Sequence, residues 1–407
     1  MRSRHRRVKY GQTMTDGPTT EDCIAWLERL VGYDTTSRNS NLALIDDVRE
    51  TLDGLGYATR LTFNEERTKA NLWATTGPPD RGAIVLSGHT DVVPVDDQDW
   101  SSDPFRLDRR DDRLYGRGAA DMKGYIACVM AHAERMAASD LKTPLSFAFS
   151  YDEEVGCTGV QGLIADMRDN LPAPLAVIVG EPTSMQIVGA HKGGRGFHVR
   201  VDGVDGHSSN PDLGANAIFA AARIVSHVEA MQERFRAQTD PANGFDPYFT
   251  TVNVGTIEGG TAHNVIPALC EMVVSFRNTP DVDQDDLEAE FRRFVADEIE
   301  PKLKAVSSQA GVTIEKRFEL PAMHPDEGSP AETLLRHLTG LNESGRVAYG
   351  TEAAHFQQAG VPGVIFGPGS IEQAHLPDEW IAVDQIAQCN AFLGKLTDWA
   401  ARNEAIR

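Results

Sequence analysis

Four apolar runs in this chain end in residues that can hold a metal or move a proton. Ile84–Ser87 leads into Gly88-His89-Thr90-Asp91, Leu145–Tyr151 into Asp152-Glu153-Glu154, and Leu175–Val179 into Gly180-Glu181-Pro182. Val364–Phe366 leads into Gly367-Pro-Gly-Ser370, with His375 soon after. Asp121 adds a carboxylate at the end of Tyr115-Gly-Arg-Gly-Ala-Ala-Asp121. Mixed imidazole and carboxylate donors suit zinc, cobalt or manganese better than calcium or magnesium. With Asp121 shared, the donors suffice for two metals, and two-metal sites with ions roughly 3.5–4 Å apart occur in aminopeptidases and phosphatases. In His89-x-Asp91, alternate strand residues can face one side, so Asp91 can take the imidazole N–H and fix the tautomer of a ligating His89. In Glu153-Glu154, one carboxylate can ligate while its neighbour stays free as a general base. Taken singly, each of these is an ordinary polar turn; four delivered to strand ends in one domain make a site.

The elements that must position these groups can be read from apolar periodicity. Helices are expected at Thr19–Val31, Leu42–Leu55 and Asp121–Ala138, and strands at Ala83–Ser87, Leu145–Tyr151, Leu175–Val179 and Gly360–Phe366. Apolar strands alternating with helices indicate βαβ units and a mostly parallel sheet. In such sheets ligands bind outside the carboxyl ends of the strands, where these residues fall. The middle of the chain differs: strand Phe197–Val204, helix Leu213–Phe235, strands Phe249–Ile257 and Ala268–Arg277, helix Gln284–Ile299 and strand Val312–Phe318. That β-α-β-β-α-β order is ferredoxin-like. The expected fold is therefore α/β, with a catalytic domain split into 14–190 and 321–407 around an inserted lid at 191–320.

Composition narrows the function classes. The chain has 407 residues and a formal net charge of −21, which disfavours broad binding to nucleic acid or anionic membrane. No run of about 18 apolar residues offers a membrane span. Residues 1–13 carry five basic side chains and no acid, without the apolar core of a secretory signal; they are expected to be a basic tail or to precede the true start at Met14. Cys23, Cys128, Cys157, Cys270 and Cys389 are odd in number, scattered and never spaced C-x-x-C, so buried, inert thiols in a reduced cytoplasmic setting are expected.

Ser87-Gly-His-Thr-Asp-Val-Val-Pro94, Gly116-Arg-Gly-Ala-Ala-Asp-Met-Lys-Gly124, Asp152-Glu-Glu-Val-Gly156, Gly180-Glu-Pro-Thr183, Gly206-His-Ser-Ser209 and Gly259-Gly-Thr-Ala-His-Asn-Val-Ile-Pro267 resemble the co-catalytic zinc aminoacylase and carboxypeptidase family. The resemblance runs over about residues 20–400. Asp34-Thr-Thr-Ser-Arg-Asn-Ser-Asn41, Ala190-His-Lys-Gly193 and Gly367-Pro-Gly-Ser-Ile-Glu-Gln-Ala-His-Leu-Pro-Asp-Glu379 are most similar to its deacetylase branch. The resemblance implies removal of acetyl from N2-acetyl-L-ornithine in arginine biosynthesis, with a related N-acyl-amino-acid deacylase or desuccinylase as the alternative. It implies two divalent metals per subunit, zinc first, with cobalt or manganese as alternatives. His89, Asp121 and Glu181 would hold one metal, and Asp121, Glu154 and His375 the other. Asp91 would orient His89, and Glu153 would be base and then acid. His207 would reach the other subunit of a homodimer built through the lid and stabilise the oxyanion. Arg277, Asn264, Gly350 and Thr351 would grip a small N-acyl amino acid, with Arg277 on its α-carboxylate. His191, His263, His324 and His355 are read as structural.

Overall fold

The computed structural model describes residues 17–402, so the basic segment 1–13 lies outside the described residues. The first helix, Thr20–Val31, begins where the sequence provides a capping box: the Thr19 side chain accepts from Asp22 N–H, and the Asp22 carboxylate accepts from Thr19 N–H. Its apolar face, with Cys23, Leu27 and Leu30, is buried in the same core as Lys123–Ala138 and Val383–Arg402.

The main sheet has eight strands, in the order Ala58–Phe63, Ala70–Thr76, Leu145–Ser150, Ile84–His89, Ala176–Val179, Gly363–Ile365, Val188–His191 and Gly345–Val347. Its centre is parallel: Ile84–His89 lies between Leu145–Ser150 and Ala176–Val179, and Gly363–Ile365 runs parallel to Ala176–Val179. The strand Ala70–Thr76 and the outer strand Ala58–Phe63 pair antiparallel. Central strands buried on both faces read as continuous apolar runs, which is why they stand out in the sequence. The carboxyl ends of three parallel neighbours therefore emerge side by side with His89, Glu153-Glu154 and Glu181.

The second sheet has four strands in the order Thr251–Gly259, Leu269–Arg277, Gly194–Asp202 and Gly311–Leu320, all antiparallel. Helices Ala217–Gln238 and Gln284–Phe294 cover one face through a separate core that includes Phe197, Phe276, Ile224 and Phe291. The connectivity is the ferredoxin-like one, and this layer is the lid. Its first helix starts at Ala217 rather than Leu213, because the Asn216 side chain caps it at Phe219 N–H while Pro211–Leu213 forms a separate 3-10 turn. Chain enters and leaves the lid side by side: His191 and Met323 exchange backbone hydrogen bonds in an antiparallel bridge. Among the described residues, no helix is long and apolar enough to cross a membrane. All five cysteines are free and buried.

Candidate metal centre

Strand ends deliver the donors, and Asp121 joins them. His89 ends its strand with the ring buried; its Nε2 lies 3.0 Å from Asp121 Oδ1 and 3.8 Å from Glu181 Oε1. His375 approaches the other oxygen, with Nε2 3.4 Å from Asp121 Oδ2 and 3.0 Å from Glu154 Oε2. Each oxygen of Asp121 thus faces a different imidazole, the arrangement of a bridging carboxylate. His89, Glu153 and Glu181, and likewise His89, Asp121 and Glu154, offer ligand atoms that all lie within 4.8 Å of one another.

The electrostatics fit a cationic occupant. Burial beside neighbouring carboxylates pushes Glu153 up to about 8 and Glu154 up to about 7, and lifts Glu181 well above the ordinary range. Burial would raise Asp121 as well, but hydrogen bonds to His375 and His89 hold it below its usual value. Hydrogen bonds to Asp121 and Glu154 carry His375 up to about 10. Glu181 Oε1 is buried with no hydrogen-bond donor. Carboxylates this crowded, one with an orphaned oxygen, repel each other unless positive charge lies among them. The donor set of two imidazoles and three carboxylates, with one carboxylate spare, fits a pair of divalent metals.

Surrounding groups set the orientation. His89 Nδ1 lies 2.9 Å from the backbone carbonyl of Asp91 and 3.6 Å from its carboxylate. The contact that fixes the tautomer is therefore the Asp91 carbonyl, where the sequence pattern suggests the side chain. The Asp91 carboxylate instead accepts from Glu153 N–H at 3.1 Å, Glu154 N–H at 3.3 Å and Ser37 Oγ at 2.7 Å, which holds the turn that bears both glutamates. That turn carries Asp152 at φ 57° and Cys157 at φ 54°, and His375 stands at φ 66°. Residues held in this left-handed region collect at functional sites. Glu153 contacts neither imidazole by an ion pair; its Oε1 accepts from the Cys157 thiol at 3.1 Å.

Two buried acids behind the site lack any role in the sequence reading. Glu352 accepts from Ser87 Oγ and Ser150 Oγ, both at 2.6 Å, and so ties the two central strands together. Glu379 accepts from the backbone N–H of Gly118 at 3.0 Å, Ala120 at 2.8 Å and Asp121 at 3.0 Å, and pairs with Arg117 at 2.8 Å. It therefore holds the loop that presents Asp121. The only available signal is its position four residues after His375.

Asp121, Glu153, Glu154, Glu181 and His375 line a cavity of about 400 Å³, together with Arg277, Arg317, Phe318, Tyr349 and Gly350. Thr351 is buried beside it and donates its N–H to His191 Nε2. His207 and Asn264 are not brought into this cavity. Both are exposed near one another on the lid, where Ser208 N–H donates to Asn264 O and His207 Nδ1 lies 2.7 Å from Ser209 Oγ.

Residues 85–398 match the family model described as peptidase family M20/M25/M40. The chain is 38% identical over 383 residues to an acetylornithine deacetylase of Myxococcus xanthus, covering 91% of this chain and 95% of that protein. It is 34% identical to an acetylornithine deacetylase of Proteus mirabilis, covering 90% and 92%. Among solved structures, a Staphylococcus aureus tripeptidase superposes with a TM-score of 0.72 at 18% identity, covering 95% of this chain and 100% of that one. A Bacillus subtilis protein described as a dinuclear metal-binding peptidase of the M20 family superposes with a TM-score of 0.64 at 17% identity, covering 93% and 97%.

Proposed function

Because the chain belongs to peptidase family M20/M25/M40, we propose that it is a metal-dependent amidohydrolase that removes the acetyl group from N2-acetyl-L-ornithine, yielding L-ornithine and acetate. The observation that carries this reading is the Asp121 carboxylate, shared between His89 and His375 beside one carboxylate bound to neither. Chain-long identity to acetylornithine deacetylases supports the substrate, and with it a place in arginine biosynthesis.

His89, Asp121 and Glu181 would hold one divalent ion, and Asp121, Glu154 and His375 the other, with zinc the first candidate and cobalt or manganese its alternatives. Such a pair lowers the pKa of a water toward neutrality and polarises the acyl carbonyl. Glu153 takes the proton of the attacking water on its carboxylate. It then returns that proton to the amine as the C–N bond breaks, so one group serves as base and then acid. Cys157 and the Asp91-braced turn hold that carboxylate in place. Arg277, whose guanidinium has no ion pair among the described residues, receives the α-carboxylate, and the Gly350–Thr351 turn bounds the acyl side.

His207 is assigned to the active site of a second subunit, where it donates to the oxyanion, with Asn264 nearby on the substrate. Homodimerisation through the lid is supported by its unpaired edge strand Thr251–Gly259 and by exposed Leu213, Phe219 and Ile257. His207→Ala is expected to lower kcat by about 10²–10³-fold, the effect of losing one oxyanion donor, with metal content unchanged by atomic absorption. A kcat within threefold of the parent removes His207 from the mechanism.

The test of the whole reading is kcat/KM for N2-acetyl-L-ornithine and N-succinyl-diaminopimelate on the zinc- or cobalt-loaded protein, with and without chelator. Chelator-sensitive cleavage that favours the acetylornithine is the expected result. Preference for the succinyl compound keeps the chemistry and overturns the substrate. No hydrolysis with two metals bound overturns the enzyme.

A further inference from the structure

The two imidazoles of the site are held in different ways. His89 ends a central strand, and its side chain is 1% exposed. His375 lies in the turn 371–378, outside any helix or strand, with its side chain 52% exposed and its backbone at φ 66°. A residue in the left-handed region keeps that conformation only where surrounding contacts hold it. Those contacts come from the irregular segment that follows the His89 strand. Gln98 Nε2 donates to the His375 carbonyl at 2.9 Å. The Asp378 carboxylate, on a residue at φ 54°, accepts from Ser101 N–H at 2.9 Å and Ser101 Oγ at 3.0 Å. Chain that leaves the first imidazole thus returns to grip the loop of the second at two points.

Gln98 is matched to this place by its chemistry. Its Oε1 accepts from the Arg117 guanidinium and, at 3.1 Å, from the Trp100 indole N–H. A guanidinium and an indole N–H only donate, and the His375 carbonyl only accepts. One orientation of the carboxamide therefore satisfies all three partners. Glutamate here would turn a second acceptor on the carbonyl, and asparagine is one methylene short. Arg117 is buried and pairs with Glu379, which collects the N–H groups of the loop bearing Asp121. One connected set of hydrogen bonds, from Glu379 through Arg117 to Gln98, thus ends on the backbone of both the bridging carboxylate and the exposed imidazole. Side chains that ligate metals are oriented by such outer contacts.

We propose that Gln98 is a positioning residue for the second metal: it fixes the left-handed backbone of His375, so that the imidazole stands 3.4 Å from Asp121 Oδ2 and 3.0 Å from Glu154 Oε2. The inference rests on the dinuclear reading of the site. It ties one residue, remote from the reacting groups, to the occupancy of one metal, because His89 and Glu181 are delivered by strand ends that Gln98 does not touch.

The test is calorimetric titration of the full chain with zinc, comparing the parent with Gln98→Glu and Trp100→Phe. Gln98→Glu keeps the acceptor for Arg117 and Trp100 and removes the donor to His375. Its added negative charge alone would tighten cation binding, so a loss of affinity reports the displaced imidazole. Of the two binding steps of the parent, Gln98→Glu is expected to weaken one by about 10–100-fold, the range for contacts that orient a ligand from behind, and to leave the other within about threefold. Trp100→Phe removes a donor to Oε1 but spares the contact with His375, and both steps are expected to stay near the parent. No weakening in Gln98→Glu, equal weakening of both steps, or an equal loss in Trp100→Phe overturns the proposal. A parent that binds fewer than two metals overturns the dinuclear reading alone. Crystal structures of the metal-free parent and Gln98→Glu then decide for Gln98. The proposal holds if His375 Nε2 leaves Glu154 in the variant while His89 and Glu181 stay in place, and it fails if His375 keeps its position.

Discussion

Glu153→Ala is expected to reduce turnover of N2-acetyl-L-ornithine by about 10²–10⁴-fold, the range for loss of a positioned general base, while two metals per subunit remain bound. Every other carboxylate of the cluster faces an imidazole: Asp121 faces both, Glu154 faces His375 and Glu181 faces His89. Glu153 is the exception, yet its oxygen also lies within 4.8 Å of ligand atoms on His89 and Glu181. Geometry thus allows two roles, and metal stoichiometry separates them. If the variant binds one metal per subunit, Glu153 is a ligand. If it keeps most of its activity, it is neither ligand nor base. Cys157→Ser, which retains a donor to the Glu153 carboxylate, is expected to stay within a few-fold of the parent in kcat; a loss as deep as that of Glu153→Ala would give the thiol a larger part.

The second large effect is expected at Glu379, which touches no reacting group. Its carboxylate collects three backbone N–H groups and the Arg117 guanidinium, all buried. Glu379→Gln leaves Arg117 as an uncompensated buried charge, a change that costs about 3–5 kcal/mol. It also loosens the loop that presents Asp121 to both metals. Groups that orient ligands from behind contribute about 10–100-fold to metal affinity, and a loss of that size is expected by calorimetric titration with zinc. Thermal unfolding measured alongside separates the two effects. Lower stability with parental zinc affinity would make Glu379 a brace of the fold alone.

Several features were legible in the sequence because they are local. Central strands buried on both faces appear as short apolar runs, and the residue after each run is obliged to stand at the sheet's rim, so His89, Glu154 and Glu181 could be grouped before any coordinates. The ferredoxin-like order of the lid followed from the alternation in Phe197–Val204 and the long helix after it. Contacts that depend on distant backbone were not legible. Three of the four partners of the Glu379 carboxylate are peptide groups, which carry no residue signature, and all four lie about 260 positions away. The spacing His89-x-Asp91 suggests a side-chain contact, but the carbonyl takes it because the carboxylate is drawn to the N–H groups of Glu153 and Glu154. The cavity position of Arg317 depends on a one-residue slip between the paired strands Gly311–Leu320 and Gly194–Asp202, and an unpaired sequence contains no register.

The side-by-side entry and exit of the lid have a mechanical consequence. With His191 and Met323 bridged, the two crossings form one short axle. Arg277 sits next to it, since Phe276 pairs with Arg195 at the start of the strand Gly194–Asp202. His207 lies beyond the far end of that strand, about 26 Å or more away at about 3.3 Å per residue, so a turn of about 10° carries it roughly 5 Å and Arg277 under about 1 Å. With the roles proposed for Arg277 and His207, the lid is a lever with the carboxylate grip at its pivot and the oxyanion donor at its tip. Small rotations of one lid therefore change the rate in the second subunit's site while leaving the hold on the α-carboxylate in its own site nearly constant.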